Sequence, residues 1–437
     1  MTSTALVVVL AVAAAVPLLR GLVPRLPLPG PLLELLAGIA LGPTGFGWVH
    51  VDPLVSAVAV VGMAFLLFLA GFEVDVRGLA GPDGKLAGRG LVMSVVLAGL
   101  AALVLLAVGW PLKAALLVAS ALMATSVGLV GPLLKDVALL GRPLGRLTLA
   151  GAALGEVTAV LLISVGFSLS HGPVAALAVL AVVIAVGGAA AWAVSAASRR
   201  ARIAMAVRAQ AEGGGQARIR LTVLAVTALA LLASKLGLEA VLGAFLAGGL
   251  ARLIDPDPEA THPAYPVKLD AIGFGFLVPV FFVTSGLKLD LRGVLTDPSA
   301  LVLVPLVFVL LLAVRGLPAL AFRHELGGRS TLASGLLLAT SLPFLLIAAE
   351  IGQSTGVFTP SQAGALAMAG LCSVIFLPPI GLALAGTVPR WTSGDPQDQP
   401  IPATPRPSTG GQMRSWWPAF GIGTRGPFSY LSARGLR

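Results

Sequence analysis

Long apolar runs separated by short polar segments fill the chain from its start to about residue 386. Runs of this kind predict helices that cross a bilayer, because a hydrocarbon core of about 30 Å takes roughly 20 helical residues. The pattern therefore predicts an all-α polytopic membrane protein with about 13 transmembrane helices. We place these helices at 4–19, 31–42, 54–72, 90–110, 114–134, 147–168, 174–196, 219–234, 238–252, 270–287, 301–322, 331–350 and 361–386.

The composition agrees with lipid as the solvent of this chain. Hydrophobic residues make up 57% of the 437 positions and charged residues 11%, which excludes an ordinary soluble domain. The single cysteine, Cys372, allows no disulfide framework and no thiolate metal cluster, and no cofactor is predicted. The net charge of +10 lies in short loops, so it indicates orientation in the membrane rather than a nucleic-acid partner.

The loop charges predict the topology. Most lysines and arginines fall on one side of the predicted bundle, and the opposite side holds Lys113, Lys235, Lys288 and Arg292. The positive-inside rule then places the N-terminus outside and the C-terminus in the cytoplasm of a cell (inner) membrane. Residues 387–437 are rich in Pro, Gly and Ser without an apolar period, which predicts a disordered cytoplasmic tail after a transmembrane domain at 1–386.

A repeated tripeptide indicates internal symmetry. Ala-Thr-Ser at 124–126 in span 114–134 recurs at 339–341 in span 331–350, and a helix breaker follows each copy. The two spans run through the membrane in opposite directions. The chain is therefore predicted to contain inverted repeats, with two discontinuous helices that cross at mid-membrane, where secondary transporters bind their substrates.

One acidic residue, Glu156, lies deep in the predicted membrane. It is nine residues from the cytoplasmic end of its span, about 13 Å at 1.5 Å per residue. Thr125 and Thr340 lie at the same depth, and Arg315 lies about 10 Å from the cytoplasmic end of span 301–322. Side chains from four helices are therefore expected to meet near the centre of the bilayer.

A carboxylate at that depth costs roughly 2.5–3.5 kcal/mol unless it is protonated, paired or hydrated. A group that holds either a proton or a dehydrated cation, but not both, provides the competition that antiport requires. Beside Glu156, the hydroxyls of Thr125, Ser126, Thr340 and Ser341 are predicted as hard ligands for a monovalent cation. The residues alone leave a second interpretation open, in which Glu156 and Arg315 form a structural ion pair without transport.

Five segments carry a family resemblance. They are GFEVDVRG at 71–78, ATSVG at 124–128, LAGAALGEVTAVLL at 149–162, GLEAVLGAFLAGG at 237–249 and KLDAIGFGFLVPVFFVTSGLKLD at 268–290. Over residues 1–385 the chain resembles the sodium/proton exchanger family of monovalent cation/proton antiporters, in the bacterial form that consists of the membrane domain alone.

The resemblance implies a function, a site and a domain arrangement. The expected function is exchange of Na⁺ or K⁺ for protons by alternating access, with Glu156 as the ion-binding carboxylate and Arg315 as the intramembrane basic residue. The expected arrangement is a moving core, a panel that pairs in a homodimer within the lipid, and a bridging helix. These parts would comprise core helices at 90–168 and 301–386, panel helices at 1–72 and 219–287, and the bridge at 174–196.

The chain departs from the family pattern at Gly155-Glu156, where Asp-Asp, Asn-Asp or Gln-Asp is usual. One acidic group is missing and the other is longer. With a single deep carboxylate, the simplest cycle moves one cation against one proton without net charge. A passive cation channel and a transport-inactive relative are the alternatives, and a channel needs no titrating carboxylate in its path.

Overall fold

The architecture is helical, without strands, throughout the residues that the computed structural model describes. These residues are 4–22, 29–74, 79, 81–169, 216–235, 240–254 and 264–386. The predicted bridging helix at 174–196 and the predicted disordered tail at 387–437 lie outside them, as does most of the basic loop before residue 216.

The helices follow one another in a single series of sixteen labelled segments. They are α1 (Thr4–Leu22), α2 (Gly30–Leu41), α3 (Pro53–Glu73), α4 (Pro82–Ala107), α5 (Leu112–Ala121), α6 (Val127–Asp136), α7 (Pro143–Leu169), α8 (Gln216–Lys235), α9 (Ala240–Ile254), α10 (Ala264–Ile272), α11 (Val278–Lys288), α12 (Leu291–Thr296), α13 (Pro298–Leu311), α14 (Arg323–Leu338), α15 (Pro343–Ser354) and α16 (Pro360–Leu384). A π-helical turn at Gly273–Leu277 joins α10 to α11, and a π turn at Leu312–Gly316 followed by a 3-10 turn at Leu317–Phe322 joins α13 to α14.

The predicted all-α class with two discontinuous helices is confirmed. Span 114–134 is divided into α5 and α6, and span 331–350 falls on α14 and α15, which are also separated by a break. Within the described part, seven helices or continuous helical runs are long and apolar enough to cross a membrane. The fourth helix begins at Pro82 rather than at 90, because a helix-starting proline and Asp83 in the first turn precede its apolar stretch.

Local signals in the sequence fix where many of these helices begin. Proline is the first residue of α3, α4, α7, α13, α15 and α16, a position that needs no backbone N–H donor. The Asp52 side chain accepts the Val55 N–H at 2.8 Å and caps α3. Thr359 and Gln362 form a reciprocal capping box at the start of α16. Helix ends therefore stay defined even where the apolar pattern is continuous.

Close contact between α2 and α11 depends on two glycines. A Cβ atom on Gly38 would lie 2.1 Å from the Val283 carbonyl oxygen, and one on Gly286 would lie 2.3 Å from the Leu35 carbonyl oxygen. Small residues at such crossings let two helix backbones approach closely in a membrane. The short predicted span at 31–42 is thus held by tight packing against α11, and Gly286 of the PVFFVTSG segment contributes to helix packing.

Candidate functional site

The two helix breaks lie against each other. At the first break, between α5 and α6, the Ser126 N–H donates a hydrogen bond of 3.0 Å to the Thr340 carbonyl in the second break. The Thr125 hydroxyl donates to the carbonyl oxygen of Leu338, the last residue of α14. Thr125 and Thr340 are fully buried. The two Ala-Thr-Ser segments therefore supply hydrogen-bond partners for backbone groups that the breaks leave without helical partners.

Glu156 projects from α7 toward the start of α6. Its Oε1 accepts the N–H of Val127, the first residue of α6, at 3.0 Å. No described residue donates a hydrogen bond to its Oε2, although the side chain is only 2% exposed. A helix N-terminus is a favourable place for a negative charge. One carboxylate oxygen is thus fixed by the start of α6, and the other accepts no hydrogen bond from the described residues.

Arg315, in the π turn after α13, makes four hydrogen bonds and is 2% exposed. Its Nε and Nη2 donate to the Thr125 Oγ1 at 2.9 and 2.7 Å. Nη2 also donates to the Gly151 carbonyl at 2.8 Å, and Nη1 donates to the Ser94 hydroxyl at 3.4 Å. Among the described residues none of these bonds goes to Glu156, so the structural ion pair is not favoured.

Gly155 leaves the space that the Arg315 guanidinium occupies. A Cβ atom at position 155 would lie 2.6 Å from the Arg315 Cζ and Nη2 atoms and 2.6 Å from the Met123 carbonyl oxygen. Real Cβ atoms do not approach other atoms so closely. The glycine that replaces the family's usual polar residue is therefore matched to the position of Arg315.

The remaining predicted ligands differ in how their oxygen atoms are used. The Thr125 oxygen donates one hydrogen bond and accepts two, which fills its capacity. The Thr340 hydroxyl donates a long bond of 3.3 Å to the Leu336 carbonyl. The Ser341 hydroxyl oxygen is buried and has no hydrogen-bond partner in the described part of the chain. Ser126 lines the same cavity as Glu156.

That cavity reaches the carboxylate from the end of the bundle where α3 ends and α2 begins. Its lining includes Glu156, Ser126, Phe274, Pro31 and Glu73, the last of which is exposed. The cavity volume is about 30 Å³, enough for roughly two water molecules. The buried Glu156 and the exposed Glu73 thus line one small cavity at this end.

A salt bridge joins two helices at the opposite end of the bundle. Lys288, the last residue of α11, donates to the Glu350 Oε1 of α15 at 2.8 Å. The side chains are about one-third and one-quarter exposed, at 32% and 26%. This pair connects a helix of the predicted panel with a helix of the predicted core.

The sequence analysis missed Glu73 and the partners of Arg315. Glu73 stands at a helix end, which is the ordinary position for a solvated charge, although it belongs to one of the segments that carry the family resemblance. Ser94 and Gly151 carry no sequence signal, because each is one of many small residues on apolar helices.

A buried carboxylate beside two crossing helix breaks in a membrane protein defines the architecture of a secondary transporter.

Comparison with known proteins gives the family. A model of the sodium/hydrogen exchanger, transmembrane family matches residues 8–383. The chain belongs to the sodium/hydrogen exchanger family, which is a family of multi-pass membrane transporters and not of enzymes. The resemblance found in the sequence is confirmed.

Two bacterial relatives and one solved structure are similar over most of the chain. The candidate Na(+)/H(+) antiporter YjbQ of Bacillus subtilis is 30% identical over 85% of the chain, which spans 61% of that relative's length. A Na(+)/H(+) antiporter of Enterococcus hirae is 25% identical over 81% of the chain and 91% of the relative. The sodium proton antiporter MjNhaP1 from Methanocaldococcus jannaschii has the same fold, with a TM-score of 0.62, 17% identity and coverage of 87% and 99%.

Replacement of Gly155 by alanine is expected to destabilise the protein because the added methyl meets both Arg315 and a backbone carbonyl. Overpacking of this kind costs typically about 1–3 kcal/mol. Thermal unfolding of the purified protein in detergent would measure the change. Gly166→Ala in the same helix is the matched control, since a Cβ atom there meets nothing within 4 Å. Equal stability of the two variants would contradict the tight fit at Gly155.

Proposed function

We propose that this protein exchanges a monovalent cation, Na⁺ or K⁺, for protons by alternating access. Glu156 binds the cation and the proton competitively. The observation that carries the proposal is a buried carboxylate with one oxygen fixed by the Val127 N–H and the other without a partner, at the inner end of a cavity. Family membership and the names of the relatives, which are Na(+)/H(+) antiporters, support the choice of substrates.

A comparison of two free energies explains why Glu156 would bind a proton or a cation rather than remain an ionised carboxylate without a partner. The helix N-terminus at Val127 stabilises a negative charge by about 0.3–1 kcal/mol in most settings. A charge near the bilayer centre costs roughly 2.5–3.5 kcal/mol on insertion scales. The helix therefore offsets only part of the cost. A bound proton or cation offsets the remaining cost by neutralising the carboxylate, and binding of one excludes the other.

The cation ligands that we propose are the Glu156 carboxylate and the hydroxyls of Ser126, Ser341 and Thr340. The Ser341 oxygen lacks a partner, and Ser126 lines the cavity beside the carboxylate. These oxygen atoms suit a hard monovalent cation. Thr125 would join them only after releasing Arg315 or Leu338. In the present conformation we assign Thr125 the role of orienting Arg315.

Arg315 is proposed to act as a counter-charge at a distance rather than as a direct partner. Its guanidinium lies beside Gly155, the residue before Glu156, while its hydrogen bonds go to Thr125, Ser94 and Gly151. This arrangement would favour ionisation of Glu156 without occupying the carboxylate oxygen that takes the cation.

The alternating-access cycle that we propose moves the core, comprising helices at 90–168 and 301–386, against a panel of helices at 1–72 and 219–287, with 174–196 as the bridge. Extensive packing within each set supports this division, for example α3 with α9 and α13 with α16. The cavity opens on the side to which the loop charges assign the cytoplasm, with the N-terminus outside and the C-terminus inside. One cation would cross for one proton, without net charge.

Glu156→Gln is the central test, because glutamine keeps the volume and can still accept the Val127 N–H but cannot titrate. We expect proton-coupled exchange to be abolished while the protein folds and inserts normally. The measurement is proton flux from liposomes containing purified protein under Na⁺, K⁺ or Li⁺ gradients.

Glu325→Gln is the control for this test, since Glu325 is an exposed carboxylate on the first turn of α14. Wild-type flux is expected from that variant. Full exchange activity in Glu156→Gln would contradict the mechanism. Cation leak without proton coupling, unchanged by the substitution, would support a passive channel instead.

Separation of Lys288 from Glu350 is expected in every cycle, because these residues lie on the proposed panel and core. In a Cys372→Ser background, Lys288→Cys with Glu350→Cys should allow a short, thiol-cleavable cross-link. Cross-linking is expected to stop exchange, and reduction is expected to restore it. Single-cysteine variants treated in the same way are the controls. Undiminished flux after complete cross-linking would exclude movement at this contact.

A homodimer in which two panels face each other across a two-fold axis is also proposed. Apolar side chains on α1 are exposed, among them Val7, Leu18 and Leu22. Cross-linking in lipid and native mass spectrometry should detect dimers that retain bound lipid. A protein that stays monomeric in lipid under both measurements would contradict the arrangement.

A further inference from the structure

The second helix break, between α14 and α15, is held by α16, the helix that follows it in the chain. The Ser341 N–H lies in this break and donates a hydrogen bond of 3.1 Å to the Ser373 hydroxyl oxygen of α16. The Ser373 hydroxyl in turn donates to the carbonyl oxygen of Gly370, one turn earlier in α16, at 2.7 Å. Ser341 and Ser373 are fully buried. A serine of α16 therefore supplies the acceptor that the break has lost from its own helix.

The first break has the same arrangement with α7, the helix that follows it. There the Val127 N–H donates to the Glu156 side chain. Both α7 and α16 begin with a proline, and Glu156 and Ser373 each lie thirteen residues after the proline of their own helix. The two helices belong to repeats that are predicted to run through the membrane in opposite directions. Ser373 thus has in the second repeat the place that Glu156 has in the first.

Gly370 allows the second break to lie directly against α16. A Cβ atom at position 370 would lie 3.1 Å from the Ser341 carbonyl oxygen and 3.3 Å from the Leu342 Cα atom, so any larger residue would push the break away. The N–H of Ser341 is bound by Ser373, and the carbonyl of Ser341 packs on Gly370. Since both backbone groups of Ser341 are held by one turn of α16, the direction of the Ser341 side chain is restricted.

The Ser341 hydroxyl is the group that this contact positions. Its oxygen is buried and has no hydrogen-bond partner among the described residues. A buried polar atom of this kind indicates that something other than the protein chain completes the site. The Ser373 hydroxyl, in contrast, donates its one proton to Gly370 and accepts the Ser341 N–H. Ser373 therefore acts on the backbone of Ser341, and the Ser341 hydroxyl is left for a ligand.

We propose that Ser373 is a positioning residue, a neutral counterpart of Glu156 that fixes the Ser341 hydroxyl toward the bound cation. The inference rests on the exchange function proposed for Glu156, and it adds a residue that sets how tightly and how selectively the cation is held. An oxygen atom held in place discriminates between ions of different radius better than one that can shift. The serine brings no charge to the site, which agrees with the proposed exchange of one cation for one proton.

Steady-state proton flux in liposomes, driven by increasing Na⁺, K⁺ or Li⁺, tests this role. Ser373→Ala removes the acceptor of the Ser341 N–H. We expect KM for the transported cation to rise by roughly five- to tenfold, the size expected from the loss of one buried hydrogen bond, with kcat within about twofold. The ratio of the KM values for Na⁺ and K⁺ should move toward one. Ser373→Thr keeps the hydroxyl and should keep the wild-type KM and selectivity.

A double substitution separates action through Ser341 from a general loosening of the helices. Ser341→Ala is also expected to raise KM, and the combination of Ser341→Ala with Ser373→Ala should raise it no further, because the two residues act through one contact. Effects that multiply would show that Ser373 does not act through Ser341 and would overturn the proposal. If Ser373→Ala fails to fold, Ser373→Cys, which has a similar volume and a weaker acceptor, is judged by the same measurements.

Ser120→Ala is the matched control, because Ser120 is a buried serine of α5 whose hydroxyl donates to the Leu116 carbonyl of its own helix. This variant should keep the wild-type KM and selectivity. Unchanged KM and selectivity in Ser373→Ala protein that unfolds at the wild-type temperature would overturn the proposal, as would a loss confined to kcat. If Glu156→Gln abolishes exchange in the same assay, that failure concerns Ser373 alone, whereas full activity of Glu156→Gln would remove the proposed function itself.

Discussion

The structure depends on the hydrogen bonds that satisfy two interrupted helices inside a membrane protein. A break in a helix leaves backbone N–H and C=O groups without partners, and lipid offers none. Here each break supplies partners for the other, through Ser126 with Thr340 and Thr125 with Leu338. The α6 end that remains is completed by the Glu156 carboxylate at Val127. The breaks are therefore stabilised as a crossed pair, with the Glu156 side chain as a further acceptor beside them.

This constraint gives Glu156 a structural function beside the one that we propose. Its Oε1 completes the N-terminus of α6, which fixes the side chain, while no described residue donates a hydrogen bond to its Oε2. A glutamate is one methylene longer than the aspartate that is usual in the family. The absence of a side chain at Gly155 leaves space for Arg315, whose guanidinium lies there and donates a hydrogen bond to Thr125. The two departures from the family pattern are thus adjacent parts of one arrangement.

Much of this could be predicted from the sequence because membrane helices leave strong signals. The lengths of the apolar runs predicted twelve spans that fall on helices in the described residues. The repeated Ala-Thr-Ser segment predicted the positions of both breaks. The number of residues from the cytoplasmic end of each span predicted a similar depth for four side chains, those of Thr125, Thr340, Glu156 and Arg315. It could not tell which of them touch, because side chains at equal depth on four helices still differ in direction. Depth alone could not show that the hydrogen bonds of Arg315 go to Thr125, Ser94 and Gly151.

Glu73 shows a different reason why sequence alone falls short. A charge at a helix end is ordinary in a membrane protein, since it reaches water there at little cost. Only the packing of α3 beside α6, with Gly128 between them, turns that end into the mouth of a cavity. The position of Glu73 in a cavity depends on contact between two helices that are distant in sequence. The sequence of either helix alone does not predict it.

The centre of the bundle and its far end are held by interactions of very different strength, which bears on how the proposed cycle proceeds. Crossed breaks, buried hydrogen bonds and glycine contacts hold the centre, and their loss would leave polar groups unsatisfied at about 1–3 kcal/mol each. The Lys288–Glu350 pair at the far end is partly exposed, and pairs of that kind contribute only about 0–1 kcal/mol. Opening the far end by separating α11 from α15 therefore costs little, provided that the crossed centre moves as one body.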